Sequence, residues 1–418
     1  MNKIFKVINV FSVIFLVLLL SCGKSDDNVI RIAVIGPSKI SAGKAIKKAV
    51  ELARQEIMKK GGIIIQKGGE KVKHSIEFVF IDDKISNISH ARSELRKAID
   101  DKNCKFIIGG FSSKVVVPLM DIMADKKVIW FGTGGASPKV IANVKNNYEK
   151  YKYYFRVGTI DATLQGKAIA EFAKNVLMPR GLKKVAVLGV NQAFSKYVLK
   201  DAIKHMKVDG FEIVVEEYVN SKNANFEEIL KKSSKADFIV CALLTDETHA
   251  FIKKVHEMGL NKKMPIIGSL SKIIRDQYEQ GNDKVTYYTA FQPQGGPVDM
   301  TSEGGAIRFT VNYAKKYQES PFWVAYIAYD TLYIYKDVVE KANSIKAQDI
   351  IKVMENPDYE YIGNIRYKWH KNNHDLIVGY HQGKNYAEFV WFQFFPDGKR
   401  YCVYPGNFRQ KKFYVPNK

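Results

Sequence analysis

The stretch from Lys105 to Pro138 constrains the fold more than any other part of this chain. It contains two short apolar runs, Phe106–Ile108 and Val128–Phe131, and each is followed by glycine and then by small hydroxyl residues. Apolar runs of this length, separated by a helical pattern from Val115 to Met123, are typical of neighbouring buried strands in a parallel sheet. The stretch therefore predicts an α/β fold in which two glycine loops lie at the same edge of a sheet.

These two loops predict a site for a small polar or anionic group. Glycine lets backbone N–H groups approach a ligand, serine hydroxyls add hydrogen-bond donors, and a helix N-terminus favours negative charge. The first loop ends in Ser112 and Ser113, and the second contains Gly134 and ends in Ser137. The same residues also fit ordinary turns between strand and helix with serine as the N-cap, and the pattern leaves both interpretations open.

Strand and helix patterns alternate along most of the remaining chain. An apolar strand, Val29 to Ile35, leads through Gly36 into a helix that begins near Ser41. A second series of alternating elements begins with a helix at Thr163 and a strand at Lys184–Leu188. Repeated strand–helix units predict parallel sheets with right-handed crossovers, and two such series predict two Rossmann-like lobes of similar plan.

The carboxyl-terminal part predicts how the two lobes are completed. Two long helices are expected at Glu303–Tyr317 and Phe322–Ala342, and a Pro-Asp-Gly turn at Pro396–Gly398 indicates an antiparallel hairpin. Asn143–Tyr154 is polar and rich in tyrosine, and is predicted to be a connecting loop. We expect lobe 1 to comprise residues 29–157 and 291–357, and lobe 2 to comprise residues 158–290 and 358–418.

The first 21 residues are predicted to be a signal peptide and not part of the fold. Lys3 and Lys6 precede an apolar run, Ile8 to Leu20, that is too short for a comfortable transmembrane helix. The run ends in Ser21-Cys22, a pattern typical of bacterial lipoproteins, in which the cysteine receives lipid after cleavage. Cys22 is therefore the predicted lipidation site, with residues 22–28 as a tether to the extracytoplasmic face of a bacterial membrane.

Charge and the rarer residue types limit the possible function. The formal net charge is +22, but the basic residues are scattered and accompany no nucleic-acid motif, so a nucleic-acid partner is not expected. Cys104 and Cys241 lie in or beside strand patterns and are expected to be buried thiols. His370, His374 and His381 occupy a polar region and are expected to be solvated, so neither a metal site nor a cofactor is predicted.

A set of segments runs in order along nearly the whole chain after the signal peptide: IRIAVIGP, FIIGGFSSKVVVP, VIWFGTGGASP, FRVGTIDATLQG, VAVLGVNQAF, ADFIVCALLTDETHAFIKKVHEMGL and PFWVAYIAYDTLYIY. Through these segments the chain resembles type I periplasmic binding proteins of the branched-chain amino-acid class, which are extracellular ligand-binding receptors. The resemblance implies two lobes joined by three crossovers, which close on a small polar ligand, and delivery of that ligand to the permease of an ABC transporter.

The resemblance also implies roles for residues of the first lobe. Ser113 matches a hydroxyl that holds a ligand carboxylate, and Phe111 matches a residue whose backbone helps there. Gly135 and Ala136 fall where the family reads the ligand through a backbone carbonyl and a hydroxyl. Alanine has no hydroxyl, and the adjacent Ser137 is the residue able to replace it.

In the second lobe, the resemblance implies that Phe194 and Thr245 cover the ligand. Leu270 falls where amino-acid binders carry an acidic residue for the α-ammonium group. Leucine cannot make a charge-assisted bond to an ammonium. Most aromatic residues are expected in the core, and Phe111, Trp130 and Phe194 are the candidates near the cleft for stacking on a ligand.

The sequence thus predicts a lipid-anchored binding protein that captures an amino acid, an amide or a carboxylate for an ABC importer, without catalysis. The altered positions at Ala136 and Leu270 keep open an alternative, a sensor or regulator of the cell envelope with the same fold but no role in transport. An envelope hydrolase is a third interpretation, for which no set of nucleophile, base and orienting group can be read.

Overall fold

A computed structural model describes residues 28–84, 87–158, 160–220, 225–243, 245–269, 285–292 and 305–416. The described residues form two main sheets, as the alternating pattern predicts. The strands of the first are β1 (Val29–Gly36), β2 (Ile63–Lys67), β3 (Glu70–Asp82), β4 (Phe106–Gly109), β5 (Ile129–Gly132) and β6 (Tyr154–Arg156). Those of the second are β7 (Lys184–Val190), β8 (Glu212–Val219), β9 (Phe238–Ala242), β10 (Ile266–Ser269), β11 (Tyr288–Gln292), β16 (Val390–Phe394) and β17 (Arg400–Tyr404).

The first sheet has the strand order β2-β3-β1-β4-β5-β6, and only the β2–β3 pair in it is antiparallel. The second has the order β17-β16-β11-β10-β9-β7-β8, with an antiparallel edge formed by β11, β16 and β17. Two short antiparallel pairs lie between β11 and β16 in the chain, formed by β12 (Tyr361–Ile362) with β13 (Arg366–Tyr367) and by β14 (Tyr380–His381) with β15 (Lys384–Asn385).

Helices cover the faces of both sheets, because their apolar residues recur at helical spacing. The second of the two long helices predicted near the carboxyl-terminal part is buried along most of its length. Among the described residues, no helix is both long enough and apolar enough to cross a membrane. The helices are α1 (Ser41–Lys59), α2 (Ile88–Asp100), α3 (Ser113–Lys126), α4 (Pro138–Asn146), α5 (Tyr148–Tyr151), α6 (Ala162–Phe172), α7 (Ala193–Val208), α8 (Phe226–Ser233), α9 (Thr245–Glu257), α10 (Ala306–Tyr317), α11 (Trp323–Ala342) and α12 (Ala347–Met354).

Among the described residues, the first lobe is built around one apolar core, which also includes Val390 and Phe392 of β16, and two further apolar clusters lie in the second lobe. The first core joins β1, β4 and β5 to α1, α3 and α11, whereas the second joins β7 and β9 to α6 and α7. The lobe limits at 290/291 and 357/358 stay a prediction: β11 pairs within the second sheet up to Gln292, and the buried residues from Tyr359 to Leu376 pack in the first core.

The prediction that Asn143–Tyr154 is a loop is wrong, because α4 and α5 occupy most of it. Ser137 caps α4 by accepting a hydrogen bond from the Lys139 N–H (3.2 Å), and Pro138 occupies the first helical turn. The polar composition concealed a helix of which only Val140, Ile141 and Val144 are buried.

The structure also corrects the expectation for the histidines. His374 is fully buried, where its ring stacks on that of Phe155 with a centroid separation of 3.9 Å. Its Nε2 lies 2.9 Å from a carboxylate oxygen of Glu355, so tertiary contacts replace solvent. By contrast, the expectation of buried thiols is confirmed, since Cys104 and Cys241 are both buried and free.

Candidate functional site

The two glycine loops lie side by side at the carboxyl ends of β4 and β5. These strands pair in parallel with Gly109 opposite Gly132, so the following residues leave the same edge of the sheet. The Thr133 N–H donates to the Gly109 carbonyl oxygen across 3.2 Å and fastens one loop to the other. The predicted juxtaposition is therefore confirmed.

The loops approach so closely that Gly134 has no room for a side chain. A Cβ atom at Gly134 would lie 2.6 Å from the Phe111 Cα atom and 2.7 Å from the Gly110 carbonyl oxygen, which is closer than real contacts allow. At Gly135 a Cβ atom would lie 3.2 Å from Val116, a tight but less severe contact. The glycines are thus required by packing of backbone on backbone.

Ser113 joins the loops through its side chain. Its Oγ accepts a hydrogen bond from the Ser137 N–H across 2.9 Å. A hydroxyl that accepts one hydrogen bond still holds a hydrogen to donate, and Ser113 is only half-buried. Ser112 is the N-cap residue of α3 but makes no side-chain capping bond. We call residues 111–113 and 134–137 the shelf.

The electrostatics of the shelf favour a negative group. The first N–H groups of a helix have no carbonyl partner within it, and α3 begins at Ser113. The partial positive charge of this helix end and the Ser113 hydroxyl lie next to each other. Both are properties of a site for a carboxylate, although they equally describe a well-made helix start.

An aromatic pair borders the shelf. The rings of Phe111 and Trp323 have centroids 6.1 Å apart and an interplanar angle of 38°, and both side chains are half-buried. Trp323 is the first residue of α11, and sequence reasoning missed it because 212 positions separate it from Phe111. The expectation that Trp130 stacks on a ligand is wrong: its ring is fully buried, and its Nε1–H donates to the Gly109 carbonyl oxygen (3.0 Å).

The second lobe has a comparable pair of loops. Strands β7 and β9 pair in parallel with Gly189 opposite Ala242, and α7 and α9 follow them. Phe194 is half-buried on α7 and packs on the second core, and Thr245 is the first residue of α9. Leu270 and Cys22 lie outside the described residues.

Ser195 is a buried residue of this second pair of loops that sequence reasoning missed. Its Oγ accepts from the Val190 N–H (3.0 Å) and donates to the Ala242 carbonyl oxygen (2.7 Å). It is fully buried; the bond from Val190 holds the turn between β7 and α7, and the bond to Ala242 fastens this turn to the end of β9.

A buried ion cluster lies directly behind the shelf. Arg156 is fully buried; its Nη1 donates to Asp161 Oδ2 (2.5 Å) and to Asp375 Oδ2 (3.4 Å), and its Nη2 donates to the Ser137 carbonyl oxygen (3.1 Å). Burial raises the pKa of Asp161, but Arg156 and the bonds from Thr163 outweigh it and leave that pKa lowered. Burial dominates at Asp375 and raises its pKa to about 6.

Known proteins resemble this architecture. The model of the family described as periplasmic binding protein matches residues 30–383. The Leu/Ile/Val-binding protein BraC3 of Rhizobium johnstonii is 25% identical over 222 residues, which are 52% of this chain and 55% of that protein. Leu/Ile/Val-binding protein homolog 1 of Brucella suis is 24% identical over 234 residues, 55% of this chain and 57% of that protein. The chain thus spans about half the length of the curated relatives it matches.

Solved structures share the fold over more of the chain. An ABC transporter substrate-binding protein from Sphaerobacter thermophilus has a TM-score of 0.73 at 15% identity, with 92% of this chain and 98% of that chain covered. A second similar structure is the branched-chain amino acid transporter substrate binding protein of Streptococcus pneumoniae in complex with isoleucine. Its TM-score is 0.70 at 20% identity, and the match covers 90% of this chain and 100% of that chain. A solute binding protein of Rhodopseudomonas palustris in complex with 3,4-dihydroxy benzoic acid has a TM-score of 0.68 at 18% identity. The match covers 88% of this chain and 98% of that chain.

The two sheets with their glycine and serine loops agree with the two-lobed type I fold of these structures. The family model covers most of the chain, including both sets of loops. This chain belongs to the periplasmic binding protein family.

Proposed function

We propose that the protein captures a small carboxylate between its lobes for an ABC importer. The observation that carries this proposal is the bond from the Ser137 N–H to Ser113 Oγ, because it presents a half-buried hydroxyl with a spare hydrogen at the start of α3. The net charge of +22 also favours the approach of anions.

The apolar part of the ligand is proposed to contact Phe111 and Trp323. Two half-buried aromatic rings beside a carboxylate shelf suit an acid with an aliphatic or aromatic group. The structural relatives from Streptococcus pneumoniae and Rhodopseudomonas palustris were crystallised with isoleucine and with 3,4-dihydroxy benzoic acid, which are both carboxylic acids. Leu270 offers no charge to an α-ammonium group. This favours a carboxylic acid that has no amino group, such as 3,4-dihydroxy benzoic acid, over an amino acid such as isoleucine.

In the proposed mechanism, the ligand binds the shelf first and the second lobe then closes over it. Phe194 and Thr245 are proposed to provide the cover. Closure follows from the greater affinity of the closed state for the ligand, and the closed form is what a permease recognises. Lipid on Cys22 is proposed to hold the protein at the membrane.

A ligand screen tests the proposal. Purified protein is heated with isoleucine, benzoate, 3,4-dihydroxybenzoate, glycinamide, urea and glucose, and hits are measured by calorimetry. A ligand at a hundred times its dissociation constant stabilises the folded state by about 2.7 kcal/mol. We expect carboxylates to raise the melting temperature, and Ser113→Ala to weaken their binding about tenfold. Hits with neutral compounds alone would exclude a carboxylate as the ligand class, and no hit from folded protein would favour the sensor or regulator.

Attachment of lipid is tested separately. Cells that express the whole chain are fed labelled palmitate, and the Cys22→Ser variant serves as the matched control. We expect the label and membrane association in the unaltered chain and the loss of both in the variant. Label in the Cys22→Ser variant would place the lipid elsewhere.

A further inference from the structure

Arg156 lies at the point where the chain leaves the first lobe. It is the last residue of β6, the edge strand of the first sheet, and Ala162 begins α6, which packs in the second core. The intervening residues therefore form a connection between the lobes. A change in the angle between the lobes has to be absorbed in such connections.

The guanidinium of Arg156 contacts three separate parts of the chain. Asp161 belongs to the connection between the lobes and also caps α6, since its Oδ1 accepts from the Thr163 N–H across 2.8 Å. Ser137 belongs to the shelf. Asp375 belongs to the segment that leads through Ala387 to β16 of the second sheet, which is another passage between the lobes.

A second bond ties the same two regions independently of Arg156. The Ala162 N–H donates to the Ala136 carbonyl oxygen across 2.9 Å, so the first residue of α6 is fastened to the shelf. The side chain of Arg156 is fully shielded from water, and that of Asp161 nearly so. Charged groups in such surroundings need every partner, and the planar guanidinium holds its partners in a fixed arrangement. The Arg156 cluster and the bond from Ala162 therefore fasten the connection to the shelf.

We propose that Arg156 is a positioning residue that couples the shelf to the connection between the lobes, so that ligand contact and lobe closure influence each other. This inference rests on the proposed function for the identity of the shelf. It concerns Arg156 and Asp161, which lie outside the shelf, and it gives a role to a buried cluster that the capture of a carboxylate does not itself require.

Hydrogen exchange of the full chain tests the coupling without any ligand. Arg156→Lys keeps the charge but loses the fork of donors, and Asp161→Asn keeps the capping oxygen for Thr163 but loses the charge. We expect exchange in peptides 134–142 and 160–170 to rise together, by roughly tenfold or more, in both variants. Peptides from β4 should exchange as in the unaltered protein.

Arg366→Lys is the matched control, because Arg366 pairs with Glu360 (2.8 Å) and neither residue belongs to the shelf or to the Arg156 cluster. It should leave peptides 134–142 unchanged. A rise confined to peptides 160–170 in Asp161→Asn would overturn the coupling, as would unchanged exchange in both variants. If Arg156→Lys raises exchange throughout the first lobe, the Asp161→Asn variant decides the question. The coupling then requires that exchange rise in both peptides 134–142 and 160–170 of that variant.

Binding gives a second readout that a purely structural arginine would not change. The dissociation constants of isoleucine and 3,4-dihydroxybenzoate, the probes used here, should rise at least about fivefold in Asp161→Asn but not in Arg366→Lys. Unchanged constants with altered exchange would overturn the link to ligand capture. Absence of binding in the unaltered protein would count against the proposed function alone, because the exchange experiment still decides the coupling.

Discussion

Each lobe has a serine at the start of a helix between two parallel strands, but the two serines differ in burial and in hydrogen bonding. In the first lobe Ser113 is half-buried, and its hydroxyl accepts one bond from the Ser137 N–H. In the second lobe Ser195 is fully buried, and its hydroxyl both accepts from the Val190 N–H and donates to the Ala242 carbonyl oxygen. The difference teaches that burial and partners, and not residue type, decide whether a serine is available to a ligand.

The largest effect is expected where the two loops of the first lobe touch. Gly134→Ala places a Cβ atom against the Phe111 backbone, so the loops must separate. We expect the free energy of unfolding to fall by about 1–3 kcal/mol and carboxylate binding to weaken more than tenfold. Calorimetry measures both. Gly406→Ala is the control, since nothing lies within 4 Å of its Cβ position, and equal losses in the two variants would refute the packing argument.

Exchange of each serine for alanine tests the comparison directly. Ser195→Ala leaves a buried N–H and a buried carbonyl oxygen without their partner, so the free energy of unfolding should fall by about 1–3 kcal/mol. Ser113→Ala should lower it by less than about 1 kcal/mol, because Ser113 and Ser137 are only half-buried and water can replace the lost hydroxyl. Chemical denaturation measures both values. If Ser113→Ala proves the more destabilising, the shelf serine is structural and the comparison fails.

The interior of the first lobe should make the free energy of unfolding depend on pH. The shelf should not, because its hydroxyls do not titrate. Asp330 on α11 is fully buried, and burial raises its pKa from 3.8 to about 7 although Tyr367 and Asn364 donate bonds to it. Because the folded pKa is the higher one, its stabilising contribution is complete below pH 3.8 and is lost as the pH rises through about 7.

We therefore expect the unaltered protein to lose roughly 1–3 kcal/mol of unfolding free energy between pH 4 and 7 relative to Asp330→Asn. Denaturation at a series of pH values measures this difference. The affinity for the carboxylate should not show this pH dependence, either in the unaltered protein or in Asp330→Asn. Parallel stability curves would show that Asp330 does not titrate in this range.

Small effects are also expected at the two remaining serines of the shelf. Ser137 caps α4, so Ser137→Ala should lower the free energy of unfolding by about 1 kcal/mol. Ser112 makes no capping bond, so Ser112→Ala should change it by less than about 0.5 kcal/mol. The melting temperatures of the two variants provide the measurement. A larger loss in Ser112→Ala would reveal a structural role for that hydroxyl.

Much of the fold could be read from the residues because buried parallel strands are short apolar runs. The strand at Phe106–Ile108 and the helix from Val115 agree with β4 and α3 to within a few residues. The helix α4 escaped notice because its exposed face is polar, and His374 was misjudged because its neighbours in the chain are polar although its neighbours in space are Phe155 and Glu355.

The amino-acid sequence alone determined the alternation of strands and helices, the two glycine loops and the likeness to a family, because these depend on local pattern and order. Only the tertiary structure decided that Trp323 borders Phe111 and that Arg156 joins the shelf to the connection between the lobes. It also decided that the Ser195 hydroxyl both accepts and donates a hydrogen bond, whereas the Ser113 hydroxyl accepts one. These are contacts between residues that lie far apart in the chain or bonds whose value depends on burial. Residue type and spacing carry neither kind of information.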